Sequence, residues 1–152
     1  MATLFPDLTR FFAPRRVAFV GATEDLAKFG GRCMRLLIDF GYTGEIYPVN
    51  PKRSEIFGRK CYASLTDLPE KPDHVGIVLP SASVHAALEE CVRLDVPFAT
   101  VYSAGFSETG TQEGRALQQR AVAIARGGGL RFMGPNCNGL INFVDAVALT
   151  ST

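Results

Sequence analysis

Short apolar runs alternate with amphipathic segments along almost the whole chain, and this alternation constrains the fold more than any other feature. Each of five runs is short, largely apolar and bounded by turn residues, which predicts a buried strand. The runs lie at residues 17–20, 44–51, 74–80, 97–103 and 130–134. Such an order of strands and helices is typical of βαβ units. The sequence therefore predicts a single α/β domain with a Rossmann-like, doubly wound parallel sheet.

The intervals between the strands predict helices. Residues 28–41 end at a glycine and place five residues on one helical face: Phe29, Cys33, Leu36, Leu37 and Phe40. Apolar rows at helical spacing predict a second helix within residues 81–96, and a third helix is predicted over residues 115–126, after a polar, glycine-rich loop. Ser64 and Asp67 have the spacing of a capping box, which predicts one short helical piece between the second and third strands.

Composition limits the class of protein. A chain of 152 residues, 47% of them hydrophobic, can bury one sizeable core. Its 16 basic and 15 acidic residues leave a net charge of +1, which argues against a nucleic-acid partner. No segment approaches the ~18 consecutive apolar residues of a membrane span, and the first residues do not resemble a secretion signal. We therefore expect a cytoplasmic protein with no nucleic-acid or membrane partner.

The four cysteines predict core residues more than a metal site. Cys33, Cys61, Cys91 and Cys137 are widely spaced and form no C-x-x-C pair, which argues against zinc. In a chain without a secretion signal we expect them to be reduced thiols, three or four of them in or near the core.

The loop after the first strand, "GATEDLAKFGG", predicts a candidate anion site. Ligands bind to doubly wound sheets outside the carboxyl ends of the strands. Gly21 would let a ligand approach the backbone, and the start of the next helix attracts phosphate. Thr23 replaces the second glycine of a dinucleotide-binding fingerprint, however, and Lys28 precedes Gly30. A tight turn without a ligand would explain this loop equally well.

The loop after the second strand narrows the choice of ligand. Proteins that bind NAD carry Asp or Glu at this place, whereas this chain has Lys52 and Arg53. Two cations suit a ribose that bears a phosphate, either the 2′-phosphate of NADP or the 3′-phosphate of coenzyme A. The alternative is a solvated surface turn.

No group of residues in the sequence predicts catalysis. His74 stands at the start of a strand and His85 in the first turn of a helix, and neither has a nucleophile at a recognised spacing. Both are predicted to be structural or to face solvent. Cys137 lies in a loop at the ligand edge, where it is either a ligand contact or an inert thiol.

Six segments, taken together, resemble a known family. They are "VAFVGAT" followed by "KFG", "YPVNPK", "CYASLTDLPEKPD", "IVLPSASV", "YSAGFSE" and "RFMGPNCNGLIN". In order and spacing they are similar to the CoA-binding domain of nucleoside-diphosphate-forming (ADP-forming) acyl-CoA synthetases and, more distantly, to the succinyl-CoA ligase alpha subunit. The resemblance covers about residues 11–143. It implies that residues 1–152 form one CoA-binding domain at the N-terminus of a longer protein.

The resemblance also implies a role for each matching position. The loop at the CoA phosphates would comprise Gly21, Ala22, Thr23, Lys28 and Gly30. The adenosine end would lie near Asn50, Pro51 and Lys52, with Lys52 at the 3′-phosphate, and near Pro80 and Ser81. The pantetheine arm would approach Tyr102, Ser103, Ala104 and Gly105, which brings its thiol towards Asn136 and Cys137.

The family's reaction converts an acid, ATP and CoA into acyl-CoA, ADP and phosphate through an acyl phosphate and a phosphohistidine. The resemblance implies that this histidine and the sites for ATP, ADP and Mg lie in synthetase domains outside this chain. We expect the chain to bind CoA or acyl-CoA without turning it over, and to act with those domains, as a monomer or an oligomer. Two alternatives remain: a ligand-sensing regulatory domain of a protein lysine acetyltransferase, and an NADP-dependent oxidoreductase domain.

Overall fold

A parallel sheet of five strands lies at the centre of the computed structural model, which describes residues 6–152. Its strands coincide with the five apolar runs, which confirms the predicted Rossmann-like sheet. In chain order the helices and strands are α1 (Thr9–Phe12), β1 (Arg16–Val20), α2 (Phe29–Asp39), β2 (Glu45–Val49), β3 (Glu55–Ile56), β4 (Arg59–Lys60), β5 (His74–Ile77), α3 (Ser81–Arg93), β6 (Phe98–Val101), α4 (Gln112–Gly127), β7 (Arg131–Met133), β8 (Gly139–Asn142) and β9 (Val147–Thr150).

The order of the strands reverses next to β1. The sheet runs β2-β1-β5-β6-β7 with every neighbouring pair parallel. The chain adds β2 on one side of β1 and β5 on the other, so the order reverses between β1 and β5. In doubly wound sheets the ligand crevice lies at the carboxyl ends of the two strands that flank such a reversal. Pro48 is tolerated inside β2 because β2 is at the edge of this sheet.

The two faces of the sheet are covered by different elements. On one face α3 and α4 pack over β5 and β6, and on the other α2 packs with β9 over β1. The predicted face of α2 is partly wrong. Met34 is fully buried beside Cys33 and Leu37, whereas Phe29 and Phe40 are 37% and 36% exposed. The face is rotated because the start of α2 approaches the loop after β1 through Gly30 and Gly31.

Several short elements were not predicted from the sequence. They are α1, the antiparallel hairpin of β3 and β4, and the antiparallel hairpin of β8 and β9, of which only a last apolar piece was expected. The predicted short helical piece is a 3-10 turn at Leu65–Asp67, and its capping box is confirmed. The Asp67 carboxylate accepts hydrogen bonds from the backbone N–H and the hydroxyl of Ser64 at 3.1 and 2.8 Å.

Helix α4 begins three residues earlier than predicted, at Gln112. The Thr111 hydroxyl caps it by accepting a hydrogen bond from the backbone N–H of Gly114 at 3.0 Å. A Cβ at position 114 would overlap the Phe106 carbonyl oxygen, so this glycine lies inside the helix at a close approach. The sequence had instead predicted Gly114 as the end of a glycine-rich loop.

Both histidines are structural, in agreement with the sequence analysis. His74 is fully buried and its Nε2 lies 2.8 Å from Thr100 Oγ1, while His85 Nε2 lies 2.8 Å from the carbonyl oxygen of Leu117. Cys33, Cys61 and Cys91 are buried and Cys137 is half-buried, and all four are free thiols. None of the helices within residues 6–152 is long and apolar enough to cross a membrane.

Candidate functional site

The loop after β1 leaves the sheet in a conformation that suits glycine. Gly21 has a φ of +90°, and a Cβ there would overlap the Val78 carbonyl oxygen at the end of β5. The backbone N–H groups of Gly21 and Ala22 donate to the Val49 carbonyl oxygen at 3.0 and 3.4 Å. These two donors are therefore engaged by the protein. The N–H groups of Thr23 and Glu24, the next along the loop, make no hydrogen bond within residues 6–152.

The start of α2 lies directly over this loop. A Cβ at Gly30 would overlap the Gly21 carbonyl oxygen, so the missing side chain lets the helix approach the end of β1. Lys28 precedes the helix with an extended backbone, and no side chain caps the first turn. The Lys28 ammonium lies 3.6 Å from the Asp25 carboxylate, and its side chain is 71% exposed. The first turn of α2 thus presents uncapped N–H groups beside an exposed cation.

Asn50 joins the loops that follow β1 and β2. Its side-chain amide donates to the Ala22 carbonyl oxygen at 2.9 Å, and its side-chain oxygen accepts from the Lys52 backbone N–H at 2.9 Å. Lys52 and Arg53 are exposed and form no ion pair with a carboxylate of residues 6–152. Asn50 therefore holds two free cations next to the loop that begins at Gly21.

A groove of about 300 Å³ opens at the carboxyl ends of β5 and β6. This volume is at the lower end of the range for small-molecule sites. The groove lies on the same edge of the sheet as the loops described above. Its lining residues are Phe29, Val78, Leu79, Pro80, Tyr102, Ser103, Ala104 and Asn136.

Hydrogen bonds hold the walls of the groove in place. The Tyr102 hydroxyl donates to the Leu149 carbonyl oxygen at 2.8 Å, so its ring, and not its hydroxyl, faces the groove. Burial raises the pKa of this phenol well above its usual value. The Ser103 hydroxyl accepts from the Leu79 N–H at 3.2 Å, and the Ser103 carbonyl accepts from the Asn136 N–H at 3.0 Å.

The structure brings together about a third of the predicted site residues in this groove: Pro80, Tyr102, Ser103, Ala104 and Asn136. Ser81 and Gly105 adjoin it, since a Cβ at Gly105 would lie 3.0 Å from Ser81 Oγ. The Cys137 thiol donates to the Val101 carbonyl oxygen at 3.5 Å and does not line the groove, and burial raises its pKa.

Three lining residues escaped the sequence analysis. Val78 and Leu79 read as the end of a buried strand, and Phe29 read as part of the core face of α2. In the structure Phe29 turns towards the groove, with its ring centroid 6.5 Å from that of Tyr102. Its position one residue before Gly30 could have predicted this placement. A large side chain at the start of a helix on the ligand edge of the sheet is close enough to reach the site.

Comparison with known proteins identifies this architecture. A family model described as a CoA binding domain matches residues 15–142, which include both loops and the whole groove. The chain belongs to this CoA-binding domain family. The match covers most of the chain and all of the central sheet.

The relatives of this CoA-binding domain include ADP-forming ligases. The chain is 44% identical over 135 residues to acetate–CoA ligase [ADP-forming] I of Archaeoglobus fulgidus, covering 89% of this chain and 19% of the ligase. It is 41% identical over 139 residues to the acetate–CoA ligase [ADP-forming] I subunit alpha of Pyrococcus furiosus, covering 89% of this chain and 30% of that subunit. The chain thus spans about a fifth to a third of the length of these relatives.

A solved structure shows the same arrangement. The acetyl-coenzyme A synthetase 1 of Candidatus Korarchaeum cryptofilum, solved in complex with phosphate and ADP, matches with a TM-score of 0.90 and 36% identity. The match covers 95% of this chain and 30% of that chain. This CoA-binding domain is therefore homologous, in sequence and in fold, to one region of a longer synthetase.

Proposed function

We propose that this domain binds coenzyme A along the carboxyl edge of its sheet, from the loop at Lys52 to the groove at Tyr102. One observation carries the proposal: an exposed pair of cations, an uncapped helix start and a groove of about 300 Å³ lie on the same edge of the sheet. These three features match the parts of CoA in order, a phosphorylated ribose, a pyrophosphate and a pantetheine arm.

The pyrophosphate would bind at the start of α2. The unused N–H groups of Thr23 and Glu24 and the uncapped first turn of α2 offer donors. The Lys28 ammonium supplies a positive charge at the same place, because its contact with Asp25 is exposed and long. Gly21 and Ala22 would contribute by shape, since their N–H groups already bind Val49.

The 3′-phosphate would bind Lys52, with Asn50 and Pro51 setting the course of the loop. A lysine without a carboxylate partner keeps its full charge for the ligand. Asn50 holds the Lys52 backbone through the 2.9 Å hydrogen bond and ties it to the phosphate loop through Ala22. The same residues would accept the 2′-phosphate of NADP, so the ligand must be decided by the rest of the edge and by experiment.

The lining of the groove suits a pantetheine arm. Pantetheine is a narrow chain of methylene and methyl groups interrupted by two amides. The methylene and methyl groups would lie against an apolar surface formed by Phe29, Val78, Leu79 and the Tyr102 ring. The two amides would meet the polar groups of Ser103 and Asn136. Pro80 and Ser81 would lie between this arm and the adenosine, and Gly105 beside it. Asn136 and Cys137 would lie near the thiol.

Calorimetry with CoA, dephospho-CoA and NADPH tests this assignment. We expect CoA to bind more tightly than dephospho-CoA, and NADPH most weakly. Lys52→Ala should weaken CoA about tenfold or more, because a charge-assisted contact contributes roughly 1.5–3 kcal/mol, and should barely affect dephospho-CoA. Lys71→Ala is the matched control, because Lys71 is an exposed lysine that precedes β5 and so lies at the opposite edge of the sheet. A preference for NADPH would refute the proposal, and equal losses for CoA and dephospho-CoA would remove Lys52 from the 3′-phosphate.

We further propose that the chain is the first domain of a longer ADP-forming acyl-CoA synthetase. The ligases named above support this, because they are three to five times longer than the matched region. ATP and Mg would bind in other domains, and the chain alone would bind CoA without turnover. An assay of the full-length polypeptide for ADP release that requires both CoA and an organic acid tests this, and no release with a panel of short acids would contradict it.

A further inference from the structure

The loop after β6 contains a carboxylate that no step of CoA binding described above uses. Glu108 lies in a short 3-10 turn at Ser107–Thr109 and is exposed. Its Oε1 accepts hydrogen bonds from the backbone N–H groups of Gly105 at 2.5 Å and Phe106 at 3.1 Å. Its Oε2 lies 3.1 Å from the same Phe106 N–H. One side chain thus engages two consecutive backbone donors.

Two neighbouring N–H groups that converge on one point form a small anion-binding concavity. Here the anion is a side chain of the same loop. The hydrogen bond from Gly105, followed by that from Phe106, lowers the pKa of the Glu108 carboxyl below its ordinary value. The carboxylate is therefore ionised at neutral pH, which makes both hydrogen bonds charge-assisted.

These two donors lie next to the wall of the groove. Ser103 is held on one side by Leu79 and Asn136, and the Phe106 side chain is fully buried on the other. Between these two anchors stand Ala104, which lines the groove, and Gly105. The backbone N–H of Gly105 has no acceptor other than Glu108 within residues 6–152. The shape of the wall between the anchors thus depends on Glu108.

We propose that Glu108 is a positioning residue for the pantetheine end of the CoA site. Its carboxylate holds the Gly105–Phe106 backbone so that Ala104 and Gly105 form the wall of the groove before the ligand arrives. This inference rests on the proposed CoA site. Without the carboxylate, the wall would have to be ordered on binding, and that entropic cost would appear as weaker affinity for any ligand that occupies the groove.

The proposal predicts an effect that depends on the part of the ligand. Glu108→Ala should raise the Kd for CoA by about fivefold or more, on the order of the cost of ordering one backbone residue. The Kd for adenosine 3′,5′-bisphosphate, which lacks the pantetheine arm, should stay within about twofold, a difference at the limit of measurement. Glu108→Gln keeps one acceptor oxygen and loses the charge, so its Kd for CoA should fall between the wild type and Glu108→Ala.

Glu113→Gln is the matched control. Glu113 is an exposed glutamate in the first turn of α4, five residues away, and its carboxylate makes no hydrogen bond or ion pair within residues 6–152. It reports the effect of removing one negative charge from the same region. Amide hydrogen exchange adds a direct readout, because the Gly105 and Phe106 N–H groups should lose protection in Glu108→Ala and keep it in Glu113→Gln.

The outcomes separate this inference from the proposed function. Failure of the wild-type domain to bind CoA would refute the CoA site itself. Equal CoA affinity in the wild type and Glu108→Ala, or an equal loss for CoA and the bisphosphate, would refute only the role of Glu108. Thermal unfolding of every variant checks that the domain is folded at the temperature of the binding measurements.

Discussion

Gly30→Ala tests the close approach on which the phosphate end of the site depends. A Cβ at Gly30 would overlap the Gly21 carbonyl oxygen and lie 3.3 Å from its carbonyl carbon. Both atoms belong to the backbone at the end of β1, so neither can move away as a flexible side chain would. The start of α2 would have to withdraw by roughly 1 Å to restore a normal contact, as in other overpacked cores.

The expected cost follows from two opposing effects. Overpacking a well-packed site costs about 1–3 kcal/mol. The replacement of glycine by alanine in a helix contributes up to about 1 kcal/mol in the other direction, and less at a first turn. The net loss in the free energy of unfolding is therefore roughly 1–2 kcal/mol, which for a domain of this size lowers Tm by about 2–8 °C.

Thermal unfolding of Gly30→Ala beside Gly127→Ala measures this. Gly127 is the last residue of α4 and a Cβ there would contact nothing within 4 Å, so its substitution should leave Tm unchanged or raise it slightly. Gly30→Ala should also weaken CoA binding, because the displaced helix start carries the proposed phosphate donors. If the two variants unfold at the same temperature, the close packing of α2 on the loop after β1 is wrong.

Two further predictions concern buried polar groups. Burial lowers the pKa of His74 to about 4 from an ordinary 6.5. As the pH falls, the imidazole is therefore protonated in the unfolded chain before it is protonated in the folded one. The free energy of unfolding should accordingly decrease between about pH 6.5 and pH 4. The loss is at most about 3 kcal/mol, and urea unfolding at several pH values should show a shallower dependence in His74→Gln; an unchanged slope would contradict the assignment. Tyr102→Phe removes the buried hydrogen bond to Leu149 and should cost about 1–2 kcal/mol. The Tyr62 hydroxyl makes no hydrogen bond within residues 6–152, so Tyr62→Phe should leave the stability unchanged. Equal stabilities of the two variants would count against the Tyr102 hydrogen bond.

The central sheet could be predicted because the chemistry of a buried parallel strand is local. Each of β1, β5 and β6 is covered on both faces, so it must be a continuous apolar run whichever strands flank it. The capping box at Ser64 and Asp67 was predictable for the same reason, since its hydrogen bonds span three residues. The hairpin of β3 and β4 was missed because strands of two residues are too short to show a hydrophobic period.

The faces of the helices were predicted less well, because a helical period shows that a face is apolar but not which neighbour covers it. Phe29 and Met34 both fit an apolar stripe on α2, yet Met34 is in the core and Phe29 lines the groove. Which of the two side chains is buried depends on β9, which packs beside α2, and on the close contact of Gly30 with Gly21.

The sequence by itself determined the doubly wound sheet, the edge at which we propose that the ligand binds and the cations at Lys52 and Arg53, because each follows from residues that are neighbours in the chain. Only the tertiary structure decided which loops meet. It joined the loops after β1 and β2 through Asn50, placed Phe29 opposite Tyr102, and set Glu108 against Gly105 and Phe106. Such contacts depend on strand order and on side-chain direction, which local patterns of hydrophobicity do not specify.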